Sequence, residues 1–195
     1  KDIPNARLFN VKNFESTTQG KARVLSCLSQ EMKGEYMFVT DADIKVNPEW
    51  INGLLSEMKE EVALVSGVTM MEYDGFFSTL QALDWIYVQA KLQAVEAIGL
   101  QVTAIGNNMA IRKSTYDLIG GYEKIPFSTT EDFALFCAVR ENGFETKTIA
   151  KKETLAYTLP LEKFKTLLHQ RKRWATGVIK VPKVLVAILL LHSMF

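Results

Sequence analysis

The chain has 195 residues, 48% of them hydrophobic, with 23 Lys and Arg against 22 Asp and Glu and a formal net charge of +1. A composition this apolar and this low in charge buries enough surface to offset chain entropy, which excludes a disordered protein, and charges that cancel exclude nucleic-acid binding by bulk attraction. The length suits one globular domain, and Cys27 and Cys137 stand far apart without CxxC or Cys/His spacing, so neither a disulfide framework nor a zinc site is expected.

Strand and helix patterns alternate along the chain, which implies an α/β layer fold. Ala6 to Val11 reads as a short strand, and Ala22 to Met32 as a helix with Val24, Leu25 and Leu28 at helical spacing. Tyr36 to Thr40 is a compact apolar strand that runs into Asp41-Ala42-Asp43. Asn47-Pro48-Glu49 opens the next helix with an N-cap residue, proline at the first helical position and an acid in the first turn. Val62 to Met70 reads as one strand, and Phe76 to Ile98 as a long helix ended by Gly99. Val102 to Ile111 is extended chain interrupted at Gly106-Asn107-Asn108, before a short helix capped by Ser114 and closed at Gly120-Gly121. Thr130-Glu131-Asp132 begins a helix that stops at Asn142-Gly143. Phe144 to Ile149 and Thr154 to Thr158 are strands, and Leu161 to Lys180 is a basic, aromatic helix. The apolar run Val184 to Leu191 has less than half of the roughly 20 residues that a membrane span needs.

Three clusters carry chemistry. Asp41 and Asp43 follow an apolar strand, where ligands of open α/β sheets bind, and two carboxylates two apart on extended chain point to one side. They suit a divalent cation carrying a diphosphate. On the residues alone two other readings stand: a turn cap beside a solvated acid, and an Asp-x-Asp-x-Thr phosphatase nucleophile at Asp41, against which Lys45 occupies the fifth position. Glu131 and Asp132 sit at a helix start, where acids also complement the helix dipole. Gln170-Arg171-Lys172-Arg173-Trp174 sets guanidinium groups beside an indole, groups that bind phosphate and stack on sugar faces, or that form a solvated or membrane-facing patch.

The ordered set Asp41-Ala42-Asp43, Gly106 to Arg112, Gly120-Gly121-Tyr122, Thr130-Glu131-Asp132 and Gln170 to Trp174 resembles the membrane-associated inverting glycosyltransferases of family 2, the type of cellulose, chitin and hyaluronan synthases and ceramide glucosyltransferase. The resemblance runs from about Gly20 to Gly177 and implies a GT-A fold, a nucleotide-sugar donor and Mg²⁺ or Mn²⁺. It places the metal and donor diphosphate on Asp41 and Asp43, the general base on Asp132 of the Thr130-Glu131-Asp132 motif, and the acceptor and diphosphate end of the site on Glu131, Gln170, Arg173 and Trp174. Lys21, in Gly20-Lys21-Ala22, falls near the donor. The opening strand and the acid that reads uracil have no counterpart in residues 1–20. Residues 1–177 are therefore expected to be a catalytic domain without its first nucleotide-binding strand, and 178–195 an interfacial segment or the start of a transmembrane one.

The chemistry suits these residues: a carboxylate takes a proton from a sugar or lipid hydroxyl, a cation and Arg173 stabilise the departing diphosphate, and no Ser/His or Cys/His nucleophile is required or present. His169 reads as a surface or acceptor-channel residue. The expected reaction is metal-dependent, inverting transfer from a nucleotide sugar, a UDP-sugar by resemblance, to a lipid or glycan acceptor at a membrane. Seven Lys and Arg (Lys163, Lys165, Arg171, Lys172, Arg173, Lys180, Lys183) against Glu162 beside the terminal apolar run set the domain on the cytoplasmic face. The rival classes are a hydrolase using Asp41 and a non-catalytic sugar-binding or scaffold module.

Overall fold

The computed structural model describes residues 6–178. Its centre is a four-stranded mixed sheet in the order β1-β5-β3-β6, made by β1 (Tyr36–Thr40), β3 (Val62–Gly67), β5 (Asn108–Arg112) and β6 (Glu145–Ile149). β5 lies antiparallel between β1 and β3, with Phe38 opposite Ala110 and Val65 opposite Ala110, and β6 runs parallel to β3. A second sheet, in the order β2-β7-β4, joins β2 (Ile44–Val46), β4 (Thr69–Met71) and β7 (Ala156–Thr158).

Every residue of β3 is buried, as expected of a central strand covered on both faces. The period-two alternation of its neighbours divides the core. Met37, Val39, Met109 and Ile111 face a layer built by α1 (Gly20–Glu31), α4 (Lys113–Leu118), α5 (Gly121–Lys124) and α6 (Glu131–Glu141), which contribute Leu25, Tyr116, Tyr122 and Leu135. Tyr36, Phe38 and Ala110 face the opposite way, onto Trp50 and Leu54 of α2 (Trp50–Leu55). The remaining helices are α3 (Phe76–Ala97) and α7 (Phe164–Val178). Cys27 is a buried free thiol and Cys137 a half-buried one.

Several expected elements differ. Ala6 to Val11 is not a strand; the chain there is irregular and closes in a short 3-10 turn at Val11–Asn13, with Asn10 Oδ1 accepting from the Lys12 N–H at 3.1 Å. Without a neighbouring strand a six-residue apolar pattern has nothing to pair with. Val62 to Met70 is two strands in two sheets, because the chain turns at Gly67, where a Cβ would stand 2.5 Å from the Thr154 carbonyl oxygen. Within the stretch Val102 to Ile111 the strand begins only at Asn108, the start of β5. Asn47 does not cap α2 directly: its Oδ1 accepts from the Glu49 N–H at 2.9 Å in a preceding turn, and the helix begins at Trp50. α4 starts at Lys113, so Ser114 lies inside it, and β7 starts at Ala156, two residues later than expected, after a 3-10 turn at Lys152–Thr154. Among the described residues no helix is long and apolar enough to cross a membrane; Val184 to Leu191 lies outside them.

Asn108 fastens the two sheets. It is fully buried, accepts from Trp50 Nε1 at 2.7 Å and donates to the carbonyls of Val68 at 3.1 Å and Thr154 at 3.0 Å, so its amide closes the junction where β4 leaves the path of β3. A buried amide satisfied this fully is a specific anchor, since any apolar substitute takes the partner from the Trp50 indole N–H and the Thr154 carbonyl, while the Val68 carbonyl keeps the Ala156 N–H.

Candidate active site

The site forms where four separate stretches meet at one end of the central sheet. β1 ends at Thr40 and the chain turns through Asp41–Ile44, the Ile44 N–H donating to the Asp41 carbonyl at 3.2 Å. Asp41 and Asp43 therefore lie in a turn and not on the extended chain from which their common direction was argued. Asp41 is half-buried and Asp43 is exposed, with no ion pair or side-chain hydrogen bond among the described residues.

Opposite Asp41 is the first turn of α1. Gly20 takes φ +60°, a conformation that costs an L residue strain, and so lets the chain enter the helix with Lys21 facing the sheet end. The Lys21 ammonium donates to Asp41 Oδ1 at 2.5 Å and to the Gly106 carbonyl at 3.0 Å, and lies 3.5 Å from Glu131 Oε1. Gly106 in turn donates its N–H to Asp132 Oδ2 at 3.0 Å, while Asp132 Oδ1 accepts from the Phe133 N–H at 2.8 Å. Lys21, Asp41, Gly106, Glu131 and Asp132 form one network. A Cβ on Gly106 would stand 2.6 Å from that of Asp132, so this position admits only glycine without displacing the acid.

Burial and the neighbouring Glu131 carboxylate push the Asp132 carboxyl above the ordinary aspartate range, against the two backbone N–H groups and Lys21 that favour its ionised form. An acid of raised pKa is a stronger base when ionised, and the two N–H groups fix the orientation of its oxygens.

The Gln170-to-Trp174 segment occupies α7 and docks on α3. Trp174 packs on Trp85 with ring centroids 5.2 Å apart, Arg171 lies over the Trp174 ring at 4.7 Å and pairs with Asp84, and Gln170 is half-buried. His169 and Arg173 are exposed. α7 connects to the acidic network through a second path: Trp85 Nε1 donates to the Thr69 carbonyl, and Thr69 Oγ1 donates to Asn107 Oδ1 at 2.8 Å, next to Gly106. Lys21, Asp41, Glu131 and Asp132 thus converge directly, while Trp174 is held on α3, two hydrogen bonds from the loop that positions Asp132.

Three residues escape reasoning from the sequence. Thr69 and Trp85 carry no signal, being ordinary members of an apolar strand and a long helix, and Asp84 meets Arg171 only through the α3–α7 contact. Gly106-Asn107 left a trace, as the interruption of an otherwise extended run.

The sequence model of glycosyl transferase family 21 matches residues 5–195. The chain belongs to glycosyl transferase family 21. This corrects the expected family: the short acidic and aromatic signatures that resemble family 2 are the residue types nucleotide-sugar chemistry asks for, and they do not separate one such family from another. Membership in a glycosyltransferase family stands and removes the phosphatase-like alternative. Among solved structures, the family 21 chain is similar to glucosyl-3-phosphoglycerate synthase from Mycobacterium tuberculosis, crystallised with Mn²⁺ and UDP-glucose, at 15% identity and a TM-score of 0.48 over 84% of this chain and 55% of that one. The same enzyme with Mn²⁺, UDP and glucosyl-3-phosphoglycerate matches at 15% and 0.48, over 84% and 56%. A structure described only as a mycobacterial protein matches at 16% and 0.42, over 85% and 49%. The chain therefore spans about half the length of these structures, and a likeness this distant says nothing of its substrate.

Proposed function

We propose that this chain carries the diphosphate-binding and acceptor-activating part of an inverting, metal-dependent glycosyltransferase that moves a sugar from a UDP-sugar to a lipid or glycan hydroxyl at a membrane. The observation that carries this is the Lys21–Asp41–Gly106–Glu131–Asp132 network, which sets a cation and an acid at the sheet end directly beside a half-buried, basic carboxylate.

Asp41 and Asp43 would hold Mg²⁺ or Mn²⁺. The fit rests on their chemistry: they are hard oxygen donors in one turn, with Asp43 exposed and one Asp41 oxygen left by Lys21. Among the described residues no group of three or more His, Cys, Asp or Glu could cage a metal, which suits an ion that completes its shell with substrate phosphates and water. When bound, the ion supplies positive charge to the departing diphosphate.

The chain's own residues do the rest. Asp132 takes the proton of the acceptor hydroxyl as its oxygen bonds to the anomeric carbon, and the carbon–oxygen bond to the diphosphate breaks with its electron pair leaving on the diphosphate. A base on one side and a leaving group on the other need no covalent intermediate, so the configuration inverts. Lys21, which pairs with Asp41, would add a second positive charge for the departing diphosphate at this end of the sheet. Arg173 and Trp174 serve the acceptor end.

Calorimetric titration of UDP into the full-length protein with Mn²⁺ and with EDTA tests the donor half. Affinity should fall at least tenfold in EDTA and in Asp43→Ala. Equal affinity in EDTA, or an Asp43→Ala variant that binds like wild type, contradicts it; UDP-sugar bound without release of UDP would mark a binding module.

A further inference from the structure

Helix α3 is inside out for a helix in water. Toward the protein it sends Ala82 and Trp85 but mostly polar side chains: Ser78 and Gln81 are buried, Gln89 is 4% exposed, and Glu96 accepts the Thr148 N–H at 2.6 Å. Gln89 Oε1 and Gln93 Nε2 are buried without a hydrogen-bond partner among the described residues. Outward it sends Phe76, Leu80, Leu83, Tyr87 and Ile98, all exposed, Phe76 by 83% and Ile98 by 73%. Their steps of four, three, four and eleven are one stripe of a 3.6-residue period, continued between Tyr87 and Ile98 by exposed Ala90 and Ala94.

α7 lies alongside, tied by Phe77 to Phe164 at 6.5 Å, Trp85 to Trp174 and Asp84 to Arg171, and it adds the exposed apolar residues Phe164 and Leu168. Exposed Lys163, Lys165 and Lys172 flank the strip, and Lys91 lies over the Tyr87 ring at 4.1 Å. Of the acids on and beside these helices, Asp84 is paired with Arg171, Glu96 accepts the Thr148 N–H, and Asp74 and Glu162 are exposed near the helix starts.

We infer that the outward faces of α3 and α7 together form a surface that lies flat in the interface of an anionic lipid bilayer. The strip is apolar and rimmed by lysines, the pattern of helices that lie in the headgroup region. A second copy of the chain would set lysine against lysine across such a contact, whereas anionic headgroups match them. α3 has the length of a span, but its polar inward stripe forbids crossing, so it is held in the plane. In sequence α7 is followed by Lys180, Lys183 and the apolar run Val184 to Leu191. The inference takes its membrane setting from the proposed function and names the surface that meets it.

Flotation of the 195-residue chain with vesicles tests this without any turnover, so its failure is distinguishable from failure of the catalytic proposal. Vesicles of phosphatidylcholine with phosphatidylserine should carry the chain upward, and phosphatidylcholine alone should carry less. Leu80→Glu/Leu83→Glu should lower the partition at least tenfold, while Leu118→Glu, an exposed apolar position on α4, should not. Should the double variant misfold, Leu83→Trp replaces it: brominated lipid should quench its added fluorescence strongly and that of Leu118→Trp weakly. Flotation of the folded double variant at the wild-type level, equal quenching at the two positions, or a dimer of the chain dispersed by Leu80→Glu/Leu83→Glu would overturn the inference.

Discussion

Asp132 holds the most constrained position in the site, with both oxygens bound to backbone N–H groups and Gly106 pressed against its Cβ. Asp132→Asn should leave UDP binding intact and lower kcat by about 10²-fold or more, because an amide cannot take the acceptor's proton. Gly106→Ala should act on the same acid by displacement, costing about 1–3 kcal/mol of stability through overpacking and a further loss of kcat. Turnover near wild type in Asp132→Asn with loss in Glu131→Gln would move the base to the neighbour. A residue remote from the site contributes to acid stability. Glu57 is buried between Lys147 and Lys151, whose hydrogen bonds hold its carboxyl down at about 2, against an ordinary 4.5. A depressed folded-state value means stability fully present above about 4.5 and lost as pH falls toward 2. Glu57→Gln should therefore cost about 1–3 kcal/mol at neutral pH and little near pH 2, read by denaturant melts at both; an equal cost at both would show that packing, not charge, holds the site.

The elements that carry a strong local pattern are the ones legible in the sequence. β1 is found at its predicted bounds because five residues alternate across two covered faces, and α3 and α6 because a glycine with positive φ, Gly99 or Gly143, follows each of them. Elements decided by partners are not legible: Ala6 to Val11 has strand composition and no strand to pair with, and the split of Val62 to Met70 depends on how closely Thr154 approaches Gly67. The site divides the same way. Asp41, Glu131 and Asp132 stand at element ends, where function concentrates, but the hydrogen bonds through Thr69 and Asn107 and the seat of Trp174 on Trp85 are long-range contacts without a sequence period. That seat makes the α3–α7 pair a unit. Trp85→Ala should reproduce Trp174→Ala, each lowering transfer to the acceptor more than UDP affinity, and the double variant should cost little more than either single one. Additive losses would mean that the two rings act separately.

At the scale of the molecule, the acidic network at the sheet end and the α3–α7 surface are joined through Trp85, Thr69 and Asn107, so the proposed chemistry and the proposed membrane seat share one hydrogen-bonded path. The most direct measurement is the anomeric configuration of the product that the full-length protein makes from an α-linked UDP-sugar, read by the proton coupling of the transferred sugar in wild type, in Asp132→Asn and in EDTA. One displacement driven by Asp132 predicts a β-linked product that disappears in both of the latter. An α-linked product, or a β-linked one formed undiminished by Asp132→Asn, would contradict it.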